Sequence, residues 1–299
     1  LKHSALLLKN NLLQLIMLFP LVIGLTYCES SSAFAHDIKL STWNLDWLSL
    51  RNPDDADLPS DIPHRSPNDF EHLNHYTQHL NADIIALQEV DGPEAAKKVF
   101  NPKDYQLVFT HDEVVQRTGI AVKHNLIVTQ NDDVKSLDVS SPTAKHHLRS
   151  GLDVSISDGK STLRLLVVHL KTGCWEQPLQ QKHHSCPQLY QQFHILEDWV
   201  AERQDEGSAF VVLGDFNRRL TLYDPIMIHL QTIAPLLLTT AGKASPCWGG
   251  EYFIDHILLG NAASSWLVPN SLRVMTYKES ASAQGLSDHC PVSITLHIP

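Results

Sequence analysis

The chain has 299 residues, 43% apolar and 19% charged, with 16 prolines and 13 glycines. That is long enough for one large domain, and it excludes collagen-like, coiled-coil and low-complexity classes. Lys and Arg number 23 against 33 Asp and Glu, a formal charge of −10 with the 18 histidines neutral. Such a balance excludes coating of a polyanion by bulk attraction, but not an enzyme that grips phosphate locally through a metal.

Lys2 and Lys9 precede an apolar run from Leu12 to Leu25, which Pro20 and Gly24 interrupt. Polar Glu29 to Ser32 follow, and then Ala33-Phe34-Ala35, a small-x-small cleavage pattern. This layout predicts a signal peptide over residues 1–35, cleaved near Ala35, and a secreted or periplasmic protein. A retained anchor is the alternative, disfavoured because the run is short for a membrane span; no stable membrane insertion is expected. Residues 36–299 then form a single catalytic domain with four cysteines: Cys174, Cys186, Cys247 and Cys290. An even number in an exported chain reads as disulfides. Among the possible pairings we favour Cys174–Cys186 with Cys247–Cys290, because the first closes one short loop. A zinc site from Cys174, His183, His184 and Cys186 is the competing reading, with a spacing that fits no strong zinc pattern.

Along the domain, Ile38 to Trp43 alternates as a half-buried strand, and Phe70, Leu73, Tyr76 and Leu80 have helical spacing. Ala82 to Leu87 reads as a buried strand, followed by strands at Tyr105 to Phe109 and Gly119 to Lys123. Leu152 to Ile156 and Leu163 to Val168 flank Asp158-Gly159, a hairpin signal. Leu189 to Val200 is an amphipathic helix, and late strands fall at Phe210 to Leu213, Phe253 to Leu259 and Val292 to Leu296. Two loops stand out: Arg51 to Asp69, rich in Pro and Asp and expected to be a mobile surface excursion, and Gly173 to Pro187, stapled by its cysteines. Hairpins mixed with helices argue for antiparallel or mixed sheets covered by helices.

The chemistry gathers at strand ends. Trp43-Asn44, Gln88-Glu89-Val90, His169-Leu170-Lys171, Gly214-Asp215-Phe216-Asn217 and Ser287-Asp288-His289 each place polar groups where a strand opens onto a loop, and Asp255 begins an apolar strand. Carboxylates and amide oxygens in that setting suit Mg²⁺ or Mn²⁺, with histidines beside the ion. Taken singly, each residue has a plain structural explanation; together they are hard to dismiss.

Ser41-Thr42-Trp43-Asn44, Leu87-Gln88-Glu89-Val90, Val168-His169-Leu170, Leu213-Gly214-Asp215-Phe216-Asn217, Ile254-Asp255-His256 and Ser287-Asp288-His289 resemble, in that order, the motifs of the endonuclease/exonuclease/phosphatase superfamily. The resemblance covers about residues 37 to 297 and implies an α/β four-layered sandwich, two packed mixed or antiparallel sheets flanked by helices. It also implies a divalent-metal phosphoesterase. Glu89 is implied as the principal metal ligand, with Asn44 and Asp288 completing or orienting the shell. Asp215 and Asn217 are implied to orient and deprotonate the attacking water and to hold a phosphate oxygen. His289 with Asp255 resembles the family's His–Asp couple at the scissile phosphate, and His169 its second histidine, a candidate general acid. Arg149 resembles a phosphate-contacting arginine. The acid that supports the second histidine in deoxyribonuclease-like members has Glu113 as its candidate here, and Arg117 is an alternative contact to the phosphate.

Lys171, Arg218 and Arg219 follow the site motifs and make a local basic patch on an acidic body, which favours a nuclease for DNA, with RNA as a further substrate. Surface pairing with Asp and Glu is an equally weighted explanation of those arginines. A phosphatase or sphingomyelinase-like phosphodiesterase is the alternative, marked down because only Trp175 offers a membrane wedge. A non-catalytic binding module on the same fold ranks last, and a monomer is expected.

Overall fold

The computed structural model describes residues 36–181, 184–248, 253–279 and 285–299. The leader expected over residues 1–35 and His183 lie outside the described residues. In chain order the elements are β1 (His36–Leu48), α1 (Pro67–Leu80), β2 (Ile84–Val90), α2 (Pro93–Ala96), β3 (Tyr105–Phe109) and β4 (Arg117–Lys123). Then come β5 (Ile127–Gln130), β6 (Leu152–Ser157), β7 (Thr162–His169), α3 (Cys186–Asp205), β8 (Phe210–Asp215) and α4 (Pro225–Ile233). The last are β9 (Leu236–Leu238), β10 (Asp255–Gly260), α5 (Ala262–Ser265), β11 (Arg273–Val274) and β12 (Val292–Ile298).

Two six-stranded sheets form, in the orders β11-β12-β1-β2-β4-β3 and β5-β6-β7-β8-β10-β9. Each has one parallel pair at its centre, β1 with β2 and β7 with β8, and is otherwise antiparallel. Three apolar clusters define the layers. One lies between the sheets and draws on Leu40, Ile84, Ile120, Val167, Leu213, Ile257 and Ile294. A second packs α1 and α2 on the first sheet around Trp43, Leu73, Tyr76 and Leu87. The third packs α3 and α4 on the second sheet around Phe193, Trp199, Phe210 and Met227. This is the expected four-layered sandwich.

Period-two alternation then fixes where the polar strand ends point. Ile38 and Leu40 face the inter-sheet core, so Asn44 shares that face. By the same rule Leu165 and Val167 bring in His169, and Val211 and Leu213 bring in Asp215. Asp255 leads Ile257 and Leu259 on that face too. The core between the sheets therefore turns polar along one rim. Because β10 runs antiparallel to β8, Asp255 sits opposite Asp215. Because β12 runs antiparallel to β1, the Ser287–His289 loop enters at the same rim.

Local details hold the rim in shape. A Cβ on Gly214, whose φ is 142°, would collide with the Val168 carbonyl oxygen, so close pairing of β7 and β8 requires a glycine there. The segment from Arg51 to Asp69, expected to be mobile, is pinned at both ends. Arg51 pairs with Asp91 at 2.8 Å. Arg65 donates to the carbonyl oxygens of Asp46 and Leu45 at 2.8 Å, Gly285 at 2.9 Å and Leu286 at 2.6 Å. The favoured cysteine pairing is present as the Cys174–Cys186 and Cys247–Cys290 disulfides, which rules out the zinc alternative.

Candidate active site

Glu89 breaks the alternation. Ile85 and Leu87 face the helical layer, and Glu89 would follow them, but its φ of 60° and a shift of strand register on both sides turn it toward the site. A left-handed conformation at a non-glycine residue costs about 1–3 kcal/mol and is kept where the surroundings demand it. The opposite strand bends as well: Asp46 and Trp47 have φ of 47° and 55°. Their turn sends the Asp46 N–H to Asn44 Oδ1 at 2.9 Å and the Trp47 N–H to Glu89 Oε2 at 3.3 Å.

Two sets of ligand atoms converge, each within 4.8 Å: Glu89, His169 and Asp215, and Asp215, Asp255 and His289. Asp215 joins them. His169 Nε2 lies 3.4 Å from Glu89 and 3.6 Å from Asp215. His289 Nδ1 meets Asp255 at 2.8 Å, with its Nε2 3.9 Å from Asp215. Asn44 Nδ2 bridges the two carboxylates, 3.1 Å from Glu89 and 3.1 Å from Asp215.

The donor set fits a small hard cation. Glu89 and Asp215 offer charged oxygens, and Asp255 Oδ1 is buried without a hydrogen-bond partner. Of the other two expected shell residues, Asn44 takes the orienting part and Asp288 lies apart. Asn44 spends its amide on positioning the carboxylates, its Oδ1 taken by the Asp46 N–H. Asp288 sits at the rim with its side chain 64% exposed, 3.8 Å from His289, outside both converging sets.

Electrostatics separate the titrating groups. Burial pushes the Asp215 carboxyl up to about 7, His289 opposing and Asp255 adding like charge. Burial also pushes Asp46 up to about 7, helped by Asp288. Burial alone would lower His289, but Asp255, Asp215 and Asp288 carry it well above the usual histidine range. His169 lies well below that range through burial, with Arg149, His289 and Lys171 adding positive charge nearby.

The remaining expected residues divide. Asn217, at φ 50°, sends its N–H to Asp215 Oδ1 at 2.8 Å. Its amide reaches Leu170 O at 3.0 Å and Asp215 Oδ2 at 3.2 Å, so it holds Asp215. Arg149 is buried, donates to the carbonyls of His169 at 2.9 Å and Leu170 at 3.0 Å, and is lowered by burial to about 10. It still lines a groove of about 920 Å³ that opens beside the site among Trp47, Gln116 and Lys171. Arg218, expected to contact substrate, has its buried guanidinium bonded to Asp224, Cys174 O and Gln177 O, where it braces the loops. Arg117 packs over Gly92 and donates to Val114 O at 3.3 Å. Glu113 does not support His169, whose Nδ1 is buried and unpartnered. The acid beside it, Asp112, instead clamps the Ser150 N–H and hydroxyl, each at 2.7 Å.

Sequence reasoning missed Gln116, which donates to Glu89 Oε2 at 2.5 Å, Arg65, which ties the Asp46 turn to the segment before His289, and Asp46 itself. Asp46 lay two residues beyond Asn44 on the same alternating face, a signal that was available. Nothing in the text marked Gln116 or Arg65. Ser287, already in the quoted motif, donates to Asn44 O at 2.7 Å and accepts the His289 N–H at 3.0 Å.

Comparison with known proteins agrees with this fold. No protein of curated function matches the chain. Among solved structures, truncated TDP2 of Caenorhabditis elegans superposes with a TM-score of 0.60 at 18% identity, over 87% of this chain and 98% of that one. D. rerio TDP2 complexed with a single-strand DNA product gives 0.56 at 16%, over 87% and 98%. The human nocturnin catalytic domain with bound sulfate gives 0.56 at 14%, over 88% and 95%. At those identities the likeness speaks for the fold. The sequence pattern of the endonuclease/exonuclease/phosphatase family matches residues 41–289, which span every motif of the rim. The chain therefore belongs to the endonuclease/exonuclease/phosphatase family, whose members are metal-dependent phosphoric ester hydrolases.

Proposed function

We propose that the protein is an exported nuclease, dependent on Mg²⁺ or Mn²⁺, that hydrolyses DNA and also RNA by in-line attack of water. The observation that carries this reading is the sharing of Asp215 between the Glu89–His169 and Asp255–His289 sets. Glu89 and Asp215 would hold the ion, which when bound supplies charge neutralisation at the phosphate and on the leaving oxygen. Asp215, which joins the two sets, is also placed to take a proton from the attacking water. Asn217 and Asn44 hold its two oxygens in place. His289, kept charged by Asp255, offers Nε2–H to a phosphate oxygen. His169 stays neutral and has no acid behind Nδ1, so we assign it a neutral hydrogen-bond donor's part rather than that of general acid.

Lys171 and, from beneath, the buried Arg149 add positive charge to the groove lining, which suits a strand gripped by a few phosphates. A relative of this fold has been seen with a single-strand DNA product, which supports nucleic acid as the substrate class. Two disulfides support export. Among the described residues no helix is long and apolar enough to cross a membrane. The test uses purified protein with plasmid DNA, RNA, sphingomyelin and a generic phosphodiester, with EDTA and after adding back Mg²⁺ or Mn²⁺. DNA cleavage restored by the ion supports the proposal, and cleavage of lipid alone overturns it.

A further inference from the structure

β7 and β8 are parallel neighbours whose last paired residues are His169 and Asp215, so the chain leaves both strands at the rim of the site. The two departing loops are joined into one piece. Asn217 Nδ2 reaches Leu170 O at 3.0 Å, and the Arg219 N–H reaches Trp175 O at 2.9 Å. The Arg218 guanidinium ties Cys174 O and Gln177 O to Asp224, and the Cys174–Cys186 disulfide closes the first loop. On this braced base stands Tyr223. Its N–H is held by Thr221 Oγ1 at 3.2 Å, the next N–H by Thr221 O at 3.1 Å, and Asp224 then caps α4. The backbone is fixed, yet the residue is 87% exposed. It walls a groove of about 490 Å³ together with Pro178, Glu176 and Arg219.

An exposed aromatic ring on a fixed backbone, on loops that begin at the catalytic strands, is an arrangement that stacks a nucleobase. Leu222 beside Tyr223 is exposed as well, but the groove also holds the Arg219–Glu176 ion pair, at 2.8 Å, with Thr221 and Gln177, a mixed lining that suits a base better than an acyl chain. We propose that this groove is a nucleobase site, in which Tyr223 stacks on the base of a nucleotide adjoining the phosphate to be cleaved. The proposal rests on the nuclease reading and adds to it a preference for strands whose bases can leave a duplex.

The test follows the wild type, Tyr223→Ala and Tyr223→Phe on single-stranded oligonucleotides with one abasic position moved stepwise past the cleavage point. One abasic position should lower wild-type kcat/KM about tenfold, within the range of base–aromatic stacking. Tyr223→Ala should show that loss on the intact strand and no further loss at the same abasic position, while Tyr223→Phe keeps the wild-type pattern. The base site is overturned if Tyr223→Ala cleaves the intact strand as the wild type does. It is also overturned if the abasic penalty survives in that variant, or if Tyr223→Phe behaves as Tyr223→Ala. A wild type that cleaves a generic phosphodiester but no nucleic acid overturns the nuclease reading itself, and the base site with it.

Discussion

His289 and His169 are buried 3.9 Å and 3.6 Å from the same Asp215 oxygen, yet they are built in opposite senses. His289 has a carboxylate on its far nitrogen at 2.8 Å and stays protonated; His169 has nothing on Nδ1, cationic neighbours, and stays neutral. The difference lies in what stands behind each ring, not in depth or in distance to the reacting groups. A single site thereby holds one charged and one neutral imidazole at the same pH, a division of labour that two identical side chains could not otherwise provide.

The comparison presupposes the anionic centre that both rings face. Glu89→Ala removes the carboxylate joined to Asn44, Gln116 and the Trp47 N–H, and should lower kcat/KM on DNA about a thousandfold. Its thermal melting should stay near wild type, because loss of the repulsion between Glu89 and buried Asp215 offsets the lost bonds. Substantial activity in this variant, measured with saturating Mg²⁺, would leave the two histidines without a shared task.

His289→Ala should cost about a hundredfold or more in turnover, the range of a lost proton-transfer or charge-stabilising group. Asp255→Asn sharpens the point. The carboxylate holds the His289 pKa up, so its removal lets that pKa fall, and the protonated ring is lost at lower pH. The alkaline limb of the pH–rate profile should therefore move toward neutrality in Asp255→Asn, whereas Asp288→Asn, exposed at the rim, should move it little. An unmoved limb in Asp255→Asn would mean that the charge of His289 is not what catalysis uses.

A third buried histidine separates burial from partnership. His256 is hydrogen-bonded through Nε2 to Arg218 O at 2.9 Å and through Nδ1 to Thr240 Oγ1 at 2.7 Å, and burial lowers it to about 4. Its folded pKa lies below the unfolded one, so its contribution to stability is complete above the unfolded value and is lost as pH falls. With an unfolded pKa near 6.5, acidification from pH 7 to 5 should remove about 2 kcal/mol through this group. His169, also lowered, acts in the same direction, while His289, raised, keeps its contribution at low pH and loses it only as pH rises through its folded value. Asp215 and Asp46, raised to about 7, act in the opposite direction over this range, so urea titrations of the wild type and of His256→Gln at the two pH values isolate the His256 share, which the variant should lack.

How much of this was legible depended on alternation. The inter-sheet columns that end in Asn44, His169, Asp215 and Asp255 are visible as polar residues closing apolar runs, which is why the fold and these positions could be read from the text. Glu89 was readable only as a motif, since its orientation comes from a bulge that breaks the period of two. The short strands β5 and β9 were missed because they are too brief to show a period. α4 was missed although Asp224-Pro225 is a sound helix start. Arg218 was harder to read for a deeper reason: a cation immediately after Asn217 reads as a substrate contact, and only folding shows that Asp224 and two carbonyls already surround it.

The smallest effect is the most direct trial of the contrast between the two rings. His169→Gln keeps a hydrogen-bond donor near Glu89 and Asp215 but cannot titrate. If His169 acts only as a neutral donor, turnover should fall about tenfold, as for a weakened hydrogen bond, and both limbs of the pH–rate profile should stay where the wild type has them. A general acid would behave otherwise. Its removal should cost far more with a poor leaving group than with p-nitrophenolate, and the limb belonging to its pKa should vanish. A His169→Gln profile that loses a limb, with a defect that grows as the leaving group worsens, would show that this ring carries a proton despite its bare Nδ1. The two histidines would then differ in degree and not in kind.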